Sequence, residues 1–128
     1  VQICPGKPLC AEENLGDIDV LLIDSRRKKI VCIEAKDYYC ARTIYDMLSQ
    51  NIKIEKALPK VIRRDEWCRA HRDLFKFYYK DIDESYEVKT IFLTYEEPTY
   101  KYFKHSIETS ITMLSAFDII KDYHIVFQ

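Results

Sequence analysis

Two apolar runs of strand length, Val20-Leu21-Leu22-Ile23 and Ile30-Val31-Cys32-Ile33, flank the polar tetrad Ser25-Arg26-Arg27-Lys28. Branched aliphatics occupy both parities of each run, so neither run has a polar face of its own. Such runs read as strands covered on both sides, and the tetrad reads as a tight connection between them. The pattern predicts a β-hairpin over Gly16–Lys36. A turn centred between Arg26 and Arg27 opposes Asp24 to Lys29, Asp19 to Glu34 and Asp17 to Lys36. Opposed residues point to one face with Cβ atoms about 5 Å apart, and the side-chain period of two keeps Glu34 and Lys36 together. Three acids and one amine therefore converge at the open end of an apolar hairpin, which would be costly to bury without purpose.

Downstream, Ile44, Met47, Leu48, Ile52 and Ile54 recur at roughly helical spacing and predict a helix over 39–57. Pro59 interrupts the pattern and predicts the start of a second helix over 59–79, with Ile62, Ala70, Leu74, Phe77 and Tyr78 as its buried stripe. Asp81–Ser85 is a polar break. Glu87–Tyr95 reads as a strand closed by Glu96-Glu97-Pro98, and Thr109–Leu114 as another. Ser115-Ala116-Phe117-Asp118 resembles a capping box that opens a short helix to about Tyr123. Tyr100–His105 receives no assignment. No repeat or internal linker breaks the chain. A single α/β domain over 1–128 is expected, with the hairpin central in a mixed sheet and the helices packed against it.

Composition narrows the chemistry. With 128 residues, 48% apolar and 13% aromatic, the chain is of globular type, and no run approaches a membrane span. There is no signal-peptide pattern. Five cysteines (Cys4, Cys10, Cys32, Cys40, Cys68) lack zinc-site spacing and read as reduced thiols of a cytoplasmic protein. The only glycines, Gly6 and Gly16, leave no glycine-rich phosphate loop. The apolar run follows Asp17-Ile18-Asp19 instead of preceding it, which argues against an Asp-x-Asp phosphotransferase. His71, His105 and His124 lack partners at ligand spacing and read as surface or packing residues. A net charge of −1 gives no global attraction for nucleic acid. Local cations do occur: Arg26 to Lys29 at the hairpin tip, away from the acids, and Lys53, Lys56, Lys60, Arg63, Arg64, Arg69 and Arg72 across the helical region. The second group is the candidate phosphate-contacting surface.

Gly16-Asp17-Ile18-Asp19 opening an apolar strand, then an apolar run ending Ile33-Glu34-Ala35-Lys36, resembles the PD-(D/E)xK nuclease superfamily. The likeness covers Gly16–Lys36. It implies a restriction-endonuclease-like mixed β-sheet flanked by helices, and a magnesium- or manganese-dependent hydrolase acting on nucleic acid, most readily a DNA endonuclease. In that pattern Asp19, Glu34 and the Ala35 carbonyl would hold the metal, and Lys36 would orient the attacking water. Such chemistry needs hard oxygen donors, because a divalent ion must offset charge on a phosphate in transit. Asp17 would be a supporting partner of Lys36. Gln50 would support from the following helix, although Ile54 stands where the pattern has tyrosine. Tyr38 and Tyr39 are the aromatics nearest the site and candidates for base stacking. The superfamily's first helix has no counterpart before Gly16: Cys4-Pro5-Gly6-Lys7-Pro8 is no helix, and Glu12 and Glu13 read as solvated loop residues. With Val1 in place of methionine, a fragment of a longer protein with further domains is expected. The alternative function is a weak or inactive nuclease-like module that binds nucleic acid or serves assembly.

Overall fold

The hairpin forms where the apolar pattern puts it. In the computed structural model, which describes residues 2–8, 16–38, 41–96 and 111–128, β2 (Asp17–Asp24) pairs antiparallel with β3 (Lys29–Lys36). Asp24 opposes Lys29 and Val20 opposes Ile33, the register read from the sequence. The turn is fixed by Asp24, whose Oδ1 accepts from the amides of Arg26 (3.0 Å) and Arg27 (3.2 Å). Its Oδ2 accepts from Arg27 Nη1 at 2.7 Å. Lys28 closes the turn in the left-handed region, at φ 53°.

Among the described residues, five strands make one mixed sheet in the order β1-β2-β3-β4-β5. β4 (Glu87–Thr94) and β5 (Ile111–Ser115) run parallel to β3, and β1 (Gln2–Pro8) lies antiparallel outside β2. The prolines at positions 5 and 8 hide β1 from a sequence reading. An edge strand is where proline is tolerated, since one side of its ladder needs no N–H donors. β5 begins at Ile111, and Tyr100–His105, Thr109 and Tyr39 lie outside the described residues.

The helical region departs from expectation. One helix, α1 (Ile44–Ala70), runs through Pro59 where two helices were predicted. Proline inside a helix costs about 3 kcal/mol or more. Ile54, Leu58, Val61 and Cys68 nonetheless form one continuous buried stripe across it. Breaking the helix at Pro59 would turn half of that stripe off the sheet, and several buried aliphatics at about 1.5–3 kcal/mol each outweigh the local cost. Thr43 caps α1, with reciprocal bonds to Asp46 that complete a capping box. After Ala70 the chain tightens into a 3₁₀ segment, Arg72–Phe77. Its three-residue turn rotates the inward face, so Phe75 is buried while Leu74 and Phe77 are exposed.

α1 crosses one face of the sheet. Ile54, Leu58 and Val61 pack on Phe92 and Ile111, whereas Cys68 joins Leu21, Ile23, Ile30, Phe75 and Val88. On the other face, Val31, Ile33, Ile91 and Leu114 are covered by Val126 and the partly buried Ile119, Ile125 and Phe127. These come from α2 (Ala116–Lys121), opened by the Ser115–Asp118 capping box, and from a 3₁₀ segment, Tyr123–Phe127. Helices on both faces explain why the strands of the hairpin lack a polar side. Among the described residues no helix is long and apolar enough to cross a membrane.

Two outcomes follow at the hairpin tip. Lys28→Gly should be tolerated, whereas Lys28→Val should lower the urea-derived unfolding free energy by about 1–2 kcal/mol, because a β-branched residue resists a positive φ. Burial alone would raise the Asp24 carboxyl, but the Arg27 guanidinium and the two turn amides outweigh it and hold it below the usual aspartate value of 3.8. A depressed folded value stabilises above the unfolded one and loses that contribution as pH falls through the folded one. Asp24→Asn should therefore flatten the loss of stability below about pH 4, measured as urea midpoint against pH.

Candidate functional site

The α1 face of the hairpin reads Leu21 and Ile23 on β2 and Ile30 and Cys32 on β3. Continuing the period of two along β3 past Cys32 brings Glu34 and Lys36 to that face. There Asp17, Asp19, Glu34 and Lys36 line one cavity of about 250 Å³. The opposite wall is α1, which contributes Lys56, Lys60 and Arg64. Their spacing of four puts them in a row along one helix face. Gly16 makes the approach possible. It holds φ at +78°, and a Cβ there would lie 3.2 Å from both Cε and Nζ of Lys60.

Asp19 lies one residue past the last paired position of the β2–β3 ladder, Val20 opposite Ile33. Its Oδ2 accepts from the Ala35 amide at 2.8 Å. Glu34 is more tightly held. Lys36 Nζ stands 3.1 Å from Oε1, and Arg64 Nη2 donates to Oε2. Arg64 also donates through Nη1 to the Asp17 carbonyl at 2.5 Å. Only 5% of Arg64 is exposed. Next to it on α1, Asp65 is buried and accepts from the Thr90 hydroxyl (2.6 Å) and Arg69 Nε (2.9 Å). Behind this wall the free thiols of Cys32 and Cys68 are buried in one core cluster, and the neighbouring Cys68 thiol together with burial pushes the Cys32 thiol up.

Asp17, Asp19, Glu34 and Lys36 are thus brought together, but with partners the sequence did not indicate. Lys36 pairs with Glu34 on its own strand instead of with Asp17 across the hairpin. Ala35 meets Asp19 through its amide. Gln50 lines a neighbouring cavity with Asp37, Tyr38 and Lys53, not this one. Tyr38 packs against the Ile54–Phe92 cluster, and burial pushes its phenol above 10.0. The basic group divides: Lys56, Lys60 and Arg64 face the acids, Arg69 serves Asp65, and Arg72 donates to the Glu84 carbonyl. At the tip, Arg27 holds Asp24 and lies over Phe127 (5.4 Å), and Lys29 pairs with Glu87 (2.6 Å). His71 is exposed and stacks on Trp67, and the exposed His124 neighbours Arg27.

Arg64 is the site residue whose role the sequence does not disclose. The sequence places it among the candidate phosphate-contacting cations, and its pairing with Glu34 spans thirty positions that no local pattern connects. The one available signal was the Lys56–Lys60–Arg64 spacing. No protein-family model, no curated protein and no solved structure matches the chain.

Burying a charge requires a partner, and removing one partner of a buried pair costs about 3–5 kcal/mol. Glu34→Ala should therefore destabilise the fold by about 2–4 kcal/mol, toward the lower side because the Asp17 carbonyl still accepts from Arg64. Adding Arg64→Met should recover part of that loss. A double-mutant cycle in urea that shows simple additivity would contradict the pairing.

Proposed function

We propose that the domain is a metal-dependent nuclease of restriction-endonuclease-like fold, cleaving phosphodiester bonds in nucleic acid, with DNA as substrate and internal cleavage as the mode. One observation carries the reading. Asp19, Glu34 and Lys36, the acid, acid and lysine of the motif, line one cavity at the end of the hairpin and face a row of three cations on α1. The α/β mixed sheet with helices on both faces agrees with this fold.

The donor chemistry fits a magnesium or manganese ion. The available groups are carboxylate oxygens. Among the described residues no three His, Cys, Asp or Glu side chains form a closed cage, and magnesium needs only one or two carboxylates because it keeps much of its water. Asp19 and Glu34 would hold it, and when bound it would offset charge on the phosphate and its leaving oxygen. The chain's own groups do the rest. Lys56 and Lys60, both exposed on α1, offer ammonium groups to backbone phosphates. Lys36, with its Nζ fixed at the Glu34 carboxylate, can orient a water there and supply positive charge beside it. The Ala35 amide fixes the Asp19 carboxylate, so this acid enters the reaction already oriented.

A second reading has one specific observation in its favour. Both oxygens of Glu34 are engaged by cations, which suits a module that binds nucleic acid without cutting it.

Cleavage assays on plasmid, linear duplex and single strands with Mg²⁺ or Mn²⁺ separate the two. Asp19→Ala should abolish cleavage, and Lys36→Ala should slow it by about 10²-fold or more. Nucleic-acid binding should persist in both, since it rests on the α1 cations. Undiminished cleavage by Asp19→Ala would refute the assignment, and tight binding with no cleavage under either ion would favour the binding module.

A further inference from the structure

Arg64 is buried and anchored at two points, Glu34 Oε2 through Nη2 and the Asp17 carbonyl through Nη1. Lys36 takes the other oxygen of Glu34 at 3.1 Å. The carboxylate that the nuclease reading assigns to the metal is therefore already neutralised by the protein. Like charges repel strongly where solvent screening is weak, and the Glu34 and Arg64 side chains are only 13% and 6% exposed. A divalent ion on Glu34 with both cations still in place would concentrate four positive charges on one carboxylate. One contact must yield. Lys36, at 36% side-chain exposure, can swing into solvent at little cost, which leaves the buried guanidinium on Oε2 as the cation an ion on Glu34 has to contend with.

Resting on that reading, we propose that Arg64 is the exchangeable counter-ion of Glu34. It neutralises the carboxylate while the site holds no ion, and yields it when a divalent cation binds. The Asp17 carbonyl keeps the guanidinium at the cavity wall during the exchange. Once released, Arg64 would continue the Lys56–Lys60 row along the same cavity, where it could meet a phosphate. Arginine suits both partners, because its planar fork matches carboxylate and phosphate alike. Arg64 is in this sense a positioning residue that sets metal affinity through Glu34.

Calorimetric titration with Mn²⁺ tests this on the wild-type chain and on Arg64→Gln, Arg64→Lys and Glu34→Gln, with circular dichroism to verify folding. Removing the competitor should tighten Mn²⁺ binding by about tenfold or more in Arg64→Gln, within the usual range of coupling between two sites. Arg64→Lys should fall between, Glu34→Gln should lose binding, and Mn²⁺ should raise the Tm of Arg64→Gln more than that of wild type. A purely structural role for Arg64 would weaken metal binding and could not tighten it. Unchanged or weaker Mn²⁺ affinity in whichever Arg64 variant folds overturns the exchange and leaves the nuclease reading standing. Absence of Mn²⁺ and Mg²⁺ binding in every form overturns both.

Discussion

The ion pair between Arg64 and Glu34 ties the two halves of the domain together at the place where chemistry is proposed. Glu34 belongs to β3, placed by a hairpin whose register runs back to the Asp24 turn. Arg64 belongs to α1, placed by the apolar stripe that crosses the sheet. Each charge would be prohibitive alone at this depth, so each depends on the other. The contact thus demands that helix and hairpin dock at one height. A slip of one residue in β3 would send Glu34 to the opposite face, and a rotation of α1 would bury Arg64 against apolar strands.

Other contacts reinforce this alignment from either side. Thr90 on β4 and Arg69 on α1 hold Asp65, immediately next to Arg64. Cys32 on β3 and Cys68 on α1 share one core cluster, two residues before Glu34 and one helical turn after Arg64. Gly16 lets α1 come close to the start of β2. The uninterrupted course of α1 through Pro59 belongs to the same account. Only a helix continuous over both halves can pack Ile54 and Leu58 on β4 and β5 while delivering Arg64 to β3.

How much of this the sequence disclosed depends on the range of the interactions. The hairpin, its register from Asp24–Lys29 to Val20–Ile33 and the shared cavity of Asp17, Asp19, Glu34 and Lys36 were legible, because strand period and turn geometry act between near neighbours in the chain; the expected opposition of Asp19 to Glu34 and of Asp17 to Lys36 lies beyond the paired ladder. The short helix after Ser115 was legible for the same reason, its capping box lying within four residues. Pro59 misled because local propensity was read without the tertiary packing that overrides it. β1 was missed because its prolines violate the strand pattern, and only its edge position excuses them. The partners of Glu34 and Lys36 were not legible, since choosing between Asp17 and Glu34 for Lys36 requires the three-dimensional distances.

Charge is where local and global readings differ most. The net charge of −1 argues against a polyanionic partner when taken over the whole chain. The cavity wall carries three carboxylates and four cations, Lys36, Lys56, Lys60 and Arg64. Locally the balance is positive, although acids sit at its centre. If the proposed function holds, that layout would resolve a conflict inherent in any site where carboxylates must approach a phosphate. The acids needed for a metal would repel the substrate, and a flanking row of cations lets the backbone approach before any ion has neutralised them. Phosphate attraction of this kind is screened by salt, whereas the buried Arg64–Glu34 contact is screened far less. On the proposed reading, substrate capture and site assembly would rest on different charges of the same helix: Lys56 and Lys60 at its exposed surface, and Arg64 one turn further on at its buried one.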